Sequence, residues 1–118
     1  QIIRCIFESL ALCYRNTLEN IRNVSPHAIR RLHVIGGGSK NAFMNQLTAN
    51  AIGIPVVAGP SEATAIGNCM IQARAAGLAG DRWEMRTLIG KAVETATFTP
   101  ADSTAWQEAY NRYKSITE

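Results

Sequence analysis

The stretch of the chain that could do chemistry is Leu32–Asn50, LHVIGGGSKNAFMNQLTAN. A short apolar run, Leu32 to Ile35, meets Gly36, Gly37 and Gly38, and Ser39, Lys40 and Asn41 lead into a helical pattern. That order is strand, tight glycine turn, helix N-terminus. Glycine lets the backbone take φ > 0 and lets a ligand come close, because no Cβ intervenes. The first N–H groups of a helix have no partner inside it. Such a turn can receive a phosphate, a ribose or the polar edge of a base. It can equally be a strand-to-helix loop that simply needs glycine.

Other chemistries are poorly supported. His27 and His33 are too isolated to pair with a serine or cysteine as a nucleophile set. No carboxylates stand at a metal-binding spacing, and Leu32–Asn50 contains no Asp or Glu. Neither a catalytic residue nor a metal ligand can be assigned. A GxGxxG pattern laid on Gly36 and Gly38 puts Asn41 where the third glycine belongs, and the next strand ends in Ala58-Gly59 without an acid for a ribose. No GK[ST] follows the glycines, so the P-loop pattern fails as well.

The elements around the turn read as α/β. Residues 1–23 form an amphipathic helix, with Ile3, Phe7, Leu10, Tyr14, Leu18 and Ile21 expected in the core and Arg4–Glu8 and Arg15–Glu19 as i,i+4 pairs. Pro26 disfavours helix at Ser25. A strand over 30–35, a helix over 41–52 ended by Gly53, and a strand over 54–58 make a compact parallel crossover. On the helix, Phe43, Leu47 and Ala51 share a face. Gly59-Pro60-Ser61 is a turn, Ser61 an N-cap candidate and Glu62 a first-turn acid. The next helix covers 62–76, with Ala63, Ile66, Met70, Ile71 and Ala75 as its apolar positions. Gly67 inside it costs ~1 kcal/mol relative to alanine and marks close approach, either by the sheet or by a ligand. Residues 82–92 form a weakly periodic helix and 95–100 an extended segment. A final amphipathic helix over 103–117 carries Trp106, Tyr110 and Tyr113 on one side, with Asp102 or Ser103 as its cap.

With 118 residues, 47% hydrophobic and 18% charged, the chain suits one soluble globular domain. The net charge of +3 is scattered, with no run beyond Arg30-Arg31, which points to neither a nucleic-acid nor a membrane surface. Three cysteines without CxxC or metal spacing suit buried free thiols in a reducing cytoplasm. Apolar runs stay far below the ~18 residues that span a bilayer, and no signal peptide is visible. The chain begins without Met, inside a helical pattern, as a piece of something longer would.

VIGGGSKNAFMNQLTANAIGIPVVAGPSEATAIGNCMIQARAAG resembles the nucleotide-binding half of an FGGY carbohydrate kinase. The matching parts are Gly36-Gly37-Gly38, Ser39 to Asn41, and the helix motif Glu62-Ala63-Thr64-Ala65-Ile66-Gly67. Asn45-Gln46, Ala58 to Ala63, and Gly67-Asn68 followed by Gln72 make it most similar to the rhamnulokinases. The first helix and the aromatic last helix also resemble the family's, so the likeness covers nearly the whole chain.

The resemblance implies the second lobe of an actin-like (ribonuclease H-like) ATPase fold, truncated. It implies ATP or ADP between two lobes and transfer of the γ-phosphate to a ketose such as L-rhamnulose. Gly37 matches a position that contacts the nucleotide, Asn41 one that reaches adenine, and Gly36 and Gly38 positions that shape the backbone. Glu62 and Gly67 match the helix along the adenosine. Ala42 stands where some relatives carry a further Asn. In the family the catalytic Asp, the sugar contacts and the phosphate turns lie upstream of the position of Gln1. The resemblance therefore implies that sugar and most Mg2+ contacts belong to another lobe, that this chain alone is inactive, and that an uncovered strand edge and helix face lead it to self-associate. Another actin-like ATPase lobe and a non-enzymatic assembly module remain alternatives.

Overall fold

Pro26 acts as its position dictates. The first helix, α1 (Ile2–Val24), stops at Ser25, which is extended at φ −85° and ψ 128°. The structure, a computed structural model, describes residues 1–117. After α1 come β1 (Leu32–Val34), a 3-10 turn at Gly37–Lys40, α2 (Ala42–Ile52) and β2 (Val56–Ala58). Then follow α3 (Ala63–Ala75), α4 (Arg82–Ala92), β3 (Ala96–Phe98) and α5 (Ser103–Thr117). The strands are shorter than 30–35 and 54–58, and the helix ends lie within a residue or so of those read from the pattern.

β1 and β2 pair in parallel, with Leu32 opposite Val56 and Val34 opposite Ala58. β3 returns antiparallel on the far side of β2, so the sheet order is β1-β2-β3. Leu32 N–H donates to Pro55 O at 3.0 Å and Gly59 N–H donates to Val34 O at 2.8 Å. The backbone groups of His33 between them therefore face away from β2, along an edge that no other described strand covers.

α2 is the hub of the core. Leu47 and Ala51 pack with Ala11 and Leu12 of α1 and with Trp106 and Tyr110 of α5. Ala49 and Ile52 pack with Leu18 and Val56, over Leu32, Val34 and Phe98. Each fully buried Leu or Ile here contributes ~1.5–3 kcal/mol by leaving water. α5 is tied to α1 by Arg15, whose guanidinium stands 4.2 Å from the Tyr110 ring centre and donates to Trp106 O and Gln107 Oε1. Tyr110 Oη donates to Asn16 at 3.1 Å. Partial desolvation, and then the Cys13 thiol, push the Tyr113 phenol above its ordinary pKa.

Several expectations are corrected. The stripe of α1 is not all core: Leu18 is buried and Phe7 half-buried, but Ile3, Leu10, Tyr14 and Ile21 are exposed, while Ala11 and Leu12 are buried. Periodicity marks an apolar face without saying what covers it. Arg15 turns to α5 instead of Glu19, and Glu19 pairs with Arg22. Phe43 is exposed and meets only the edge of this core, its ring centre 5.9 Å from that of Phe7. Cys5, Cys13 and Cys69 are exposed, not buried, and so is the His33 side chain. No residue of α3 is buried. The radius of gyration is 17.0 Å, above the roughly 13.5 Å of a compact domain this long.

Candidate functional site

Two loops leave the carboxyl ends of the parallel strands side by side, where open α/β sheets hold their ligands. One is the glycine turn after β1. The other, Gly59 to Glu62, follows β2. Gly36 N–H donates to Pro60 O at 3.0 Å, which continues the β1–β2 ladder into the two loops. Gly59 takes φ 117°, and a Cβ on it would meet Glu94 O at 3.0 Å, so both conformation and space require glycine.

Within the turn, Gly36 takes φ 74° and ψ −159°. Its carbonyl accepts from Ser39 N–H at 3.1 Å and from Ser39 Oγ at 2.7 Å. Gly38 O accepts from Asn41 N–H at 3.2 Å. The N–H groups of Gly37 and Gly38, in the first 3-10 turn, have no partner inside it. A Cβ built on Gly36 or Gly37 would meet nothing within 4 Å, and one on Gly38 only Val34 Cγ1 at 3.8 Å. Space over the turn is open.

Asn41 caps α2: its Oδ1 accepts from Met44 N–H at 3.0 Å. The residue is exposed, and its amide NH2 has no partner among the described residues. On the second loop, the N-cap of α3 is Glu62, not Ser61, and it makes no side-chain cap bond. Gly67 is not packed against the sheet; a Cβ there would meet nothing within 4 Å. The small-residue start of α3 is thus an open surface. Among the described residues no group of three His, Cys, Asp or Glu side chains stands together. The glycine turn itself, Gly36 to Asn41, carries no carboxylate.

Sequence reasoning missed one member of the site. Asn45 is 2% exposed and donates from Nδ2 to Ser39 O at 3.1 Å and Gly38 O at 3.4 Å. The signal was a polar residue on the inner side of α2, one turn beyond Asn41.

Residues 1–76 match the model of the FGGY family of carbohydrate kinases, C-terminal domain. The chain is 62% identical to the rhamnulokinase of Bacteroides thetaiotaomicron over 98% of its own length and 24% of the relative's. It is 36% identical to that of Pectobacterium carotovorum subsp. carotovorum over 100% of its own length and 24% of the relative's. It spans about a quarter of the length of these curated relatives. The solved xylulose kinase from Rhodospirillum rubrum shares the fold with a TM-score of 0.71 at 22% identity, over 96% of this chain and 23% of that one. Residues 1–76 and their relatives together fix the assignment: the chain belongs to the FGGY family of carbohydrate kinases, is rhamnulokinase-like, and has the α/β fold of the second lobe of the actin-like ATPase architecture.

Proposed function

We propose that this chain is the adenosine-binding side of a cytoplasmic sugar kinase that moves the γ-phosphate of ATP to a ketose such as L-rhamnulose. The observation that carries the reading is the pair of joined loops at the carboxyl ends of β1 and β2, with open space above Gly36, Gly37 and Gly67. In this reading Gly37 lies against the nucleotide and offers backbone without a side chain. Gly36 and Gly38 set the curve of the turn. Asn41 holds α2 with its oxygen and offers its amide NH2 to an adenine nitrogen. Gly67 leaves room along α3, and Glu62 borders it. Mg2+ arrives on the phosphates of ATP and is held chiefly by groups of another lobe, as is the sugar.

Phosphoryl transfer needs a positioned hydroxyl, metal and phosphate contacts as well as a platform for the base. Leu32–Asn50 holds no carboxylate to accept the sugar's proton. The chain given Mg·ATP and L-rhamnulose is expected to form ADP no faster than the blank in a coupled assay, and turnover above the blank overturns this part. Platform binding is tested by NMR on 15N-labelled chain. Mg·ADP is expected to shift amides centred on Gly36 to Asn41, and NAD to shift none. A response to NAD alone overturns the reading; silence with both shows that the platform does not hold nucleotide by itself. The assembly alternative is favoured by one observation, the exposed face of α1, and is compatible with this role.

A further inference from the structure

We infer that Asn45 is the positioning residue of the glycine turn, holding it in ligand-ready shape before any nucleotide arrives. The inference rests on the nucleotide reading above and deepens it. A run of three glycines has more freedom to lose on ordering than any other tripeptide. Left to itself the turn would sample many shapes, and a ligand would have to order it at a cost in affinity. Two anchors oppose this. Ser39 ties the near half through its N–H and Oγ to Gly36 O. Asn45 ties the far half, because its single Nδ2 donates to the carbonyls of both Gly38 and Ser39. Those carbonyls are drawn toward α2, and the open face of the turn stays clear of them.

The burial of Asn45 makes this anchor strong and costly. It is 2% exposed on the side of α2 that otherwise holds Thr48, Ala49 and Ile52. An amide placed there is stabilised only while its bonds to the turn are made. Its backbone also bonds to Asn41 O at 3.0 Å, so one residue is joined to the cap, the 3-10 turn and the core. Thr48 is the matched contrast. It is equally buried at 2%, on the same helix, but its Oγ1 donates to Met44 O of its own helix and not to the turn.

The experiment compares Asn45→Ala with Thr48→Val in the full chain. Two readings are taken: amide hydrogen exchange at Gly36 to Asn41 without ligand, and the Kd for Mg·ADP by calorimetry. Asn45→Ala is expected to speed exchange across the turn and to weaken Mg·ADP about tenfold, the equivalent of one lost preorganising contact pair. Thr48→Val is expected to lower Tm without either change. Equal exchange and equal Kd in Asn45→Ala and native chain overturn the inference. So does a Thr48→Val chain that loses affinity as much, since general loosening of α2 then explains both. If the native chain binds no Mg·ADP, the binding reading fails alone, and the exchange comparison still decides the role of Asn45. Should Asn45→Ala fail to fold, Asn45→Asp keeps the shape and replaces the donor with an acceptor, and the same exchange readout applies.

Discussion

Gly37→Leu is expected to weaken Mg·ADP binding by about tenfold or more while leaving Tm within about 2 °C of the native value. The backbone at Gly37 is not left-handed, and a Cβ there meets nothing within 4 Å. The folded chain therefore accepts a side chain, which then stands in the space that the proposed ligand needs. Gly36→Ala is expected to lower Tm, which Gly37→Leu spares. At φ 74° the added Cβ strains the backbone by about 1–2 kcal/mol, although its own surroundings are empty. One glycine thus separates binding from stability, and its neighbour reports stability. Calorimetry with Mg·ADP beside a thermal melt reads both. Native affinity in Gly37→Leu would mean that no ligand lies against the turn, and the platform reading would fall with it.

The turn itself was legible because its signals are local. Three glycines after an apolar run, a polar pair and a helical period force strand, turn and helix whatever lies around them. The structure places β1, the 3-10 turn and α2 in that order. Gly53 as a C-cap was equally local: it is left-handed at φ 71°. What escaped depends on partners distant in sequence. The pairing of Arg15 with Glu19 is worth only a few tenths of a kcal/mol, and α5, some ninety residues on, offers the Tyr110 face and two acceptors instead. Asn45 stood out in the sequence only as half of the family-like pair Asn45-Gln46, since its meaning lies in two carbonyls of a turn that it touches only once both are folded. Gly67 allowed packing or room, and only the folded surroundings separate the two.

The chain is expected to form a dimer through α1. All five charges of this helix, Arg4, Glu8, Arg15, Glu19 and Arg22, fall on one side at 100° per residue. The opposite side carries Ile3, Ile6, Leu10, Tyr14, Ile21 and Val24 and no charge, yet it is open: Ile3 is 68%, Tyr14 46% and Val24 82% exposed. With Ile2, these side chains leave on the order of 800 Å2 of mostly apolar surface, the share that each partner brings to a standard interface and more than a monomer ordinarily shows. A groove between Tyr14, Leu18 and Ile21 and the strand residues Leu32 to Val34 extends the face to the open edge of β1. A second copy offers the same uncharged face and edge, so two copies cover each other by a two-fold axis. A lipid surface fits less well. It calls for cations flanking the apolar face, and here Arg4 and Arg22 are paired with Glu8 and Glu19 while Arg15 is held by α5. Sedimentation over a wide range of concentration should therefore show a dimer that Leu10→Lys converts to monomer with unchanged helicity. Leu88→Lys is the control, because Leu88 is about as exposed as Leu10 but belongs to α4. A native chain that stays monomeric throughout, a dimer that survives Leu10→Lys, or co-sedimentation of the native chain with neutral phosphatidylcholine vesicles would each remove the dimer as the occupant of that face.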